Sequence, residues 1–249
     1  MSASKRRRWL IATAIVVFIG VLLVQFPASW ASAVLPRGIA CRELEGTLWS
    51  GRCSGIVIQG SSPGDLAWTL HPLKLLVGRL KLDLALEQNA GPVRGTLELA
   101  PGGAFTLRNL HGAIPLDHEL IGAVPASLHG LAQADFASIV WDGRKVATLE
   151  GQLDAHGLRD DRTVIGDYRV SFPGGQTGEP VGQLSDLGGP FSAQGTVRLT
   201  AQPGYLIQGM IAPRGNVPAD VLEALRFLGP PDAQGRRPFS LEASYTLKP

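Results

Sequence analysis

From Ile39 onward, apolar and polar residues alternate with period two along most of the chain. The clearest run is Gly78-Arg79-Leu80-Lys81-Leu82-Asp83-Leu84-Ala85-Leu86, with leucine at every second place and Arg79, Lys81 and Asp83 between. Successive side chains of a strand point to opposite faces, so this spacing predicts a strand with one buried and one wet face. Thr96-Leu97-Glu98-Leu99 repeats the pattern, as do Thr148 to Leu153, Tyr168 to Phe172, Thr196 to Thr200 and Phe239 to Leu247. Alternation of this kind favours antiparallel sheet, because parallel strands are covered on both faces and read as continuous apolar runs. Turn signals separate the strands: Asn89-Ala90-Gly91-Pro92, Pro101-Gly102-Gly103, Trp141-Asp142-Gly143, Pro173-Gly174-Gly175 and Gln202-Pro203-Gly204. The prediction is a mainly β fold, a curved antiparallel sheet built of hairpins.

Helix is scarce. Pro218 to Leu228 is the best candidate, with Asn216 just upstream, Pro218 suited to a first turn, and Gly229-Pro230-Pro231 as a stop. Val221, Leu222, Leu225 and Leu228 fall on one face of it. Pro72 to Val77 predicts one further turn, and Leu116 to Val124 a shorter helix. An internal echo accompanies the strands. Glu45-Gly46-Thr47-Leu48 resembles Glu150-Gly151-Gln152-Leu153, and each is followed by a Gly-Asp pair, Gly64-Asp65 and Gly166-Asp167. Gly95-Thr96-Leu97-Glu98-Leu99 then matches Gly195-Thr196-Val197-Arg198-Leu199. The preserved order of landmarks predicts two similar halves.

Alternation is absent from Trp9 to Phe26, an apolar run without a charge, preceded by Lys5, Arg6, Arg7 and Arg8. A helix of roughly 17–25 residues crosses a bilayer core, so the run suffices for one pass. Cations on one flank only predict a cytoplasmic N-terminus and an extracytoplasmic body. A cleaved signal is the alternative, with Ala31-Ser32-Ala33 as the cleavage site, although such apolar regions are usually only about 7–15 residues. The expected organisation is a cytoplasmic basic tail (1–8), a transmembrane anchor (9–26), a linker (27–38) and one β-rich extracytoplasmic domain (39–249).

Composition changes this picture in two places. The formal charge is +2, and the four cations before the apolar run leave the body nearly neutral, so no surface for nucleic acid is implied. Glycine (31) and proline (18) are abundant while aromatics make up 6%, which suits many short elements joined by turns. The two cysteines, Cys41 and Cys53, lie beyond the apolar run, where an oxidising compartment permits pairing. A hairpin over Glu43 to Gly51 would bring them opposite each other; otherwise they stand as two independent half-buried thiols.

No motif for catalysis is present: no Gly-x-Ser-x-Gly elbow, Walker loop or His-Glu-x-x-His pair. His71, His111, His118, His129 and His156 lack metal-ligand spacing, and surface or turn positions account for them. Asp160-Asp161 lies between arginines in a loop-like stretch, and Asp65, Asp167 and Asp186 suit local bonds to backbone. Ser50 has no histidine near it in sequence. No catalytic, metal or cofactor-binding residue is assigned. Trp49, Trp68 and Trp141, in or beside strands, are either core residues or the lining of an exposed apolar groove.

In order along the chain come Gly46-Thr47-Leu48-Trp49-Ser50-Gly51, Gly64-Asp65-Leu66-Ala67-Trp68 and Leu75-Leu76-Val77-Gly78-Arg79-Leu80. Gly166-Asp167-Tyr168, Ser185-Asp186-Leu187-Gly188-Gly189-Pro190 and Leu228-Gly229-Pro230-Pro231-Asp232 follow. This ordered series resembles the type II secretion system protein N family, also called general secretion pathway protein N. The resemblance implies a single-pass protein of the bacterial inner membrane with its bulk in the periplasm. It implies a non-enzymatic accessory role in export of folded proteins across the outer membrane, with other secretion subunits as partners. That family is also similar to AsmA-like proteins, whose curved sheets carry an apolar groove associated with lipid. A lipid-binding or lipid-transfer module is therefore the alternative function. The resemblance supplies no catalytic residue and lends no support to a Cys41–Cys53 bridge.

Overall fold

The computed structural model describes residues 9, 13–14, 25–29, 38–58, 60–75, 78–116, 124, 127–160, 163–200, 204–215, 217 and 219–244. Thirteen antiparallel strands form one sheet whose spatial order is the sequence order. They are β1 (Ile39–Gly46), β2 (Ser50–Ile58), β3 (Ser61–Leu70), β4 (Leu80–Glu87), β5 (Val93–Leu99), β6 (Phe105–Leu116) and β7 (Leu128–Trp141). β8 (Val146–Asp160), β9 (Thr163–Phe172), β10 (Val181–Gly188), β11 (Phe191–Leu199), β12 (Gly204–Pro213) and β13 (Arg237–Ser244) complete it. Two short helices interrupt the hairpins, α1 (Pro72–Leu75) after β3 and α2 (Ala219–Arg226) after β12.

The predicted alternation is the rule that places side chains. One row across the sheet reads Leu70, Leu82, Leu97, Leu107, Ile139 and Leu149; the adjacent row reads Thr69, Asp83, Thr96, Arg108, Ser138 and Glu150. A one-residue slip would exchange the two rows. On the apolar face, Ala134, Phe136, Leu149, Phe172 and Val197 form the main buried cluster, with Leu110, Ile114, Ile139, Leu153, Val170, Leu184 and Ile207 packed on it. Ala132 and Ala134 are 2% and 1% exposed although no second sheet or helical layer lies over them among the described residues. Larger neighbours pack over them: Ala134 shares one buried cluster with Phe136, Leu149, Phe172 and Val197.

Glycine and aspartate set the bends. At Gly55, in the left-handed region with φ 64°, the β2–β3 register shifts between Cys53 and Ile56, and the Gly55 amide donates to Asp65 Oδ1 at 2.8 Å. The arrangement recurs in β8 and β9: Gly157 (φ 61°) donates to Asp167 Oδ1 at 2.7 Å, and the register shifts between Ala155 and Leu158. β3 and β9 both have ten residues and start 102 residues apart, at Ser61 and Thr163. The preceding glycines match too: a Cβ on Gly64 would strike the Glu87 carbonyl at the end of β4, and one on Gly166 the Gly188 carbonyl at the end of β10. Gly95 faces Leu84 and Gly195 faces Leu184. The first landmark of the echo is different in kind, since Gly46 ends β1 whereas Gly151 lies inside β8.

Other expectations fare unevenly. α2 falls within Pro218 to Leu228; of the predicted stripe, Leu225 is buried beside Phe191 and Val217 while Leu222 and Leu228 stay exposed. Asp160 ends a fifteen-residue strand instead of lying in a loop. The helix expected from Leu116 to Val124 lies outside the described residues, apart from Leu116, which ends β6, and Val124. The apolar run 9–26 likewise lies outside them apart from Trp9, Thr13, Ala14, Gln25 and Phe26; among the described residues no helix is long and apolar enough to cross a membrane. Lys5, Arg6, Arg7 and Arg8 are outside the described residues as well.

Asp65→Ala is expected to cost about 1–2 kcal/mol, the loss of a carboxylate acceptor from a part-buried amide, and Asp167→Ala, whose bond is exposed, about 0.5–1 kcal/mol. The double variant is expected to lose the sum, as distant sites do. Urea unfolding of the two singles and the double measures this.

Candidate functional site

The first hairpin is tied together by the residues that open the ordered series. Gly46 turns with φ 93°, and the Thr47 amide donates to the Ser50 carbonyl at 2.9 Å. Trp68 folds over Gly51, where a Cβ would lie 2.3 Å from its ring, and its Nε1–H donates to the Leu48 carbonyl at 3.1 Å. The chain before the hairpin docks on the same turn: the Leu48 amide donates to the Phe26 carbonyl at 2.8 Å, Pro27 bridges to Thr47, and Ala28 is buried. Cys41 and Cys53 are joined by a disulfide with Cα atoms 5.7 Å apart. They are not register partners, since Cys41 faces Ile56 and Cys53 faces Leu44. The bridge runs diagonally beside the bend at Gly55.

Of the three tryptophans, the structure brings Trp68 and Trp141 to one face, and Trp49 to the turn beside them. Trp68 pairs with Leu84 on β4; four residues along, Leu80 pairs with Leu99, Leu99 with Phe105, and Phe105 with Trp141. The Phe105 and Trp141 rings stack with centroids 6.1 Å apart. Trp49 accepts a bond from the Leu70 amide at 2.6 Å and is half-buried. The face between Trp68 and Trp141 is built by Leu82, Leu84, Leu97, Leu99 and Leu107. No residue of β4 or β5 is buried, although their inward positions are leucine and valine. The buried residues of the apolar face concentrate on β7 to β11, with Leu70 of β3 beyond them, whereas the leucines of β4 and β5 stay half-buried. Leucine spacing predicted which side chains share this face. It could not show how deeply each is covered, because cover is a property of the tertiary fold.

The opposite face is polar, and its charges are paired. His71 Nε2 lies 2.6 Å from Asp83 Oδ2, and Thr96 donates to Asp83 Oδ1 at 2.7 Å. The His71 contact and then the Thr96 bond hold the Asp83 carboxyl below its usual range. His111 lies 2.9 Å from Asp135 and His156 3.7 Å from Asp167, pairings that sequence distance concealed. Arg169 donates twice to Asp154, at 2.7 and 2.5 Å, and these bonds hold that nearly buried carboxyl low. Near the end of β10 on the apolar face, Asp186, the register partner of Tyr168, pairs with Arg214 at 2.8 Å and accepts from Ser192. Tyr168 is pushed up to about 12, first by burial and then by Asp186, so it stays neutral and donates to the Ile165 carbonyl. A depression of about 310 Å³ lies over Ala67, Ala85, Arg94 and Asn109, with Asp83 at its rim already engaged by His71 and Thr96. Ser50 closes its turn through the backbone. Among the described residues, no group of three His, Cys, Asp or Glu could hold a metal ion.

Fold and site together define a class of β-rich protein with a single long sheet, a polar face of paired charges and one partly uncovered apolar face. The chain belongs to the type II secretion system protein N family: the family described as Type II secretion system (T2SS), protein N, matches residues 37–240. Type II secretion system protein N from Vibrio cholerae is 29% identical over 245 residues, covering 88% of this chain and 91% of that one. The protein of the same name from Aeromonas hydrophila is 27% identical over 255 residues, covering 94% and 97%. No solved structure matches.

The Asp154–Arg169 pair yields a pH-dependent expectation. A carboxyl whose folded pKa is depressed stabilises the fold above its unfolded value, about 3.9, and that contribution is lost as pH falls through the folded value. Asp154→Asn is expected to cost about 2 kcal/mol at neutral pH, as for a hydrogen bond to a charged group. The gap to the unaltered protein should narrow as the pH is lowered below about 4, read from urea midpoints across that range.

Proposed function

We propose that this protein is a non-enzymatic accessory component of the type II secretion system, acting in export of folded proteins across the outer membrane. The apolar run 9–26 holds it in the inner membrane with the sheet in the periplasm, in the orientation that Lys5, Arg6, Arg7 and Arg8 favour. Family membership supports the system. The observation that carries the mode of action is the less covered part of the apolar face, where the leucines of strands β4 and β5 are half-buried and none is fully buried. Apolar surface of this extent is stabilised by contact with another apolar surface, so the face is a site for a partner rather than a finished core. Secretion subunits are the partners this reading names.

The second reading is an AsmA-like module that binds or transfers lipid. The feature that favours it is the continuity of the leucine rows across β3 to β6, which offers an acyl chain an apolar track flanked by Trp68 and Trp141.

Leu84→Asp together with Leu97→Asp places two charges on the open face while leaving the polar face intact. In cells, this variant is expected to accumulate normally and to leave type II substrates in the periplasm, to the extent seen in a deletion. Normal export by the variant would remove the open face from the mechanism, and normal export by the deletion would remove the protein from the export role. Native mass spectrometry of the detergent-free periplasmic part separates the readings: bound lipid lost in the double variant favours the lipid module, and its absence favours protein partners.

A further inference from the structure

Loops at the ends of antiparallel strands are ordinarily polar, and one turn of this sheet is not. Between β3 and β4 the chain reads Pro72-Leu73-Lys74-Leu75-Leu76-Val77-Gly78-Arg79, with no carboxylate. Leu73 is 78% exposed and Leu75 41% exposed, on the short helix α1, and Lys74 and Arg79 flank them in solvent. The turn has a definite position. The Lys74 amide donates to the His71 carbonyl and the Arg79 amide to the Lys74 carbonyl, while His71 itself is fixed by Asp83. One strand back, the Leu70 amide donates to the Trp49 carbonyl, and next to Trp49 the Leu48 amide donates to the Phe26 carbonyl. Phe26 is the last residue of the apolar run. The exposed leucines thus emerge at the end of the sheet where that run ends, about 10 Å from it, two strand spacings away.

We propose that the α1 turn is a second membrane contact, in which Leu73 and Leu75 enter the headgroup region of the bilayer that holds residues 9–26 and Lys74 and Arg79 meet anionic lipid. This rests on the anchor reading given above. Three features select a lipid surface as the occupant. The site lies level with the end of the apolar run, its leucines project singly from a tight turn rather than lining a groove, and its charges are uniformly positive, which complements acidic headgroups. The other exposed apolar group, Leu222, Phe227 and Leu228 around α2, lies at the opposite end of the strands and serves as the internal control. Two attachment points, the anchor and the turn, would fix the inclination of the sheet and set the β3 to β5 end of the open apolar face against the bilayer.

The test uses the full chain reconstituted in vesicles of phosphatidylethanolamine and phosphatidylglycerol. Because Cys41 and Cys53 are joined, a single added thiol is labelled selectively, at Val16→Cys, Leu73→Cys, Leu75→Cys or Phe227→Cys. Lipid carrying a spin-label quencher near its headgroup is expected to quench the labels at 73 and 75 and to leave the label at 227 unchanged. With Lys74→Glu and Arg79→Glu added, quenching at 73 should fall in anionic vesicles. A label at 16 quenched by an acyl-chain quencher establishes the anchor independently. If 16 is quenched and 73 is not, the second contact is wrong and the anchor stands; if neither is quenched, both fall. Labels at 73 and 227 quenched alike would mean that the sheet lies flat, which also overturns the proposal. Protection of 73 from aqueous iodide without quenching by lipid would assign the turn to contact with a second copy and overturn it as well.

Discussion

The structure depends on one imbalance: an antiparallel sheet segregates its residues onto two faces, and this chain supplies no second layer to cover the apolar one among the described residues. A β-sandwich meets that need with a second sheet and an α+β fold with helices. Here α2 seats Leu225 against Phe191 and Val217, and α1 has no buried residue. The sheet meets the need in part where side chains from β6 to β12 pack on one another. Over β4 and β5 the same leucine rows remain half-buried.

Glycine with aspartate places the local bends of the strands. Gly55 and Gly157 supply the left-handed residue at two bends, and Asp65 and Asp167 satisfy the amides that each bend frees from the ladder. The recurrence of this device in β2–β3 and β8–β9 means that similar bends act twice along one sheet. The polar face contributes register. Asp154 with Arg169 and His111 with Asp135 are direct partners across neighbouring strands, so a slip of one residue would separate each pair.

Strand positions were legible because period-two alternation needs no tertiary information: Leu80 to Leu86 names its own faces. Long strands were harder. β7 carries Ala132, Ala134 and Phe136 alternating with Gln133 and Asp135, and the small apolar residues weaken the contrast that alternation depends on. The meaning of the Gly-Asp pairs was half visible. Local bonds to backbone were expected of Asp65 and Asp167, but their partners lie ten residues away across a hairpin. The histidine–aspartate pairs were hidden for the same reason, since His111 and Asp135 meet only when β6 and β7 are in register. Trp68 is half-buried: it shares the apolar face with Trp141 and also packs on Gly51 and donates to Leu48 of the first hairpin.

If the half-buried apolar face over β4 and β5 is occupied in the cell, a photo-crosslinking amino acid at Leu84 or Leu97 in intact membranes reports it, with Thr96 on the opposite face as reference. Strong adducts are expected from 84 and 97, to a secretion subunit or to lipid, and weak ones from 96. Equal labelling from both faces, or none from 84 and 97, would contradict it.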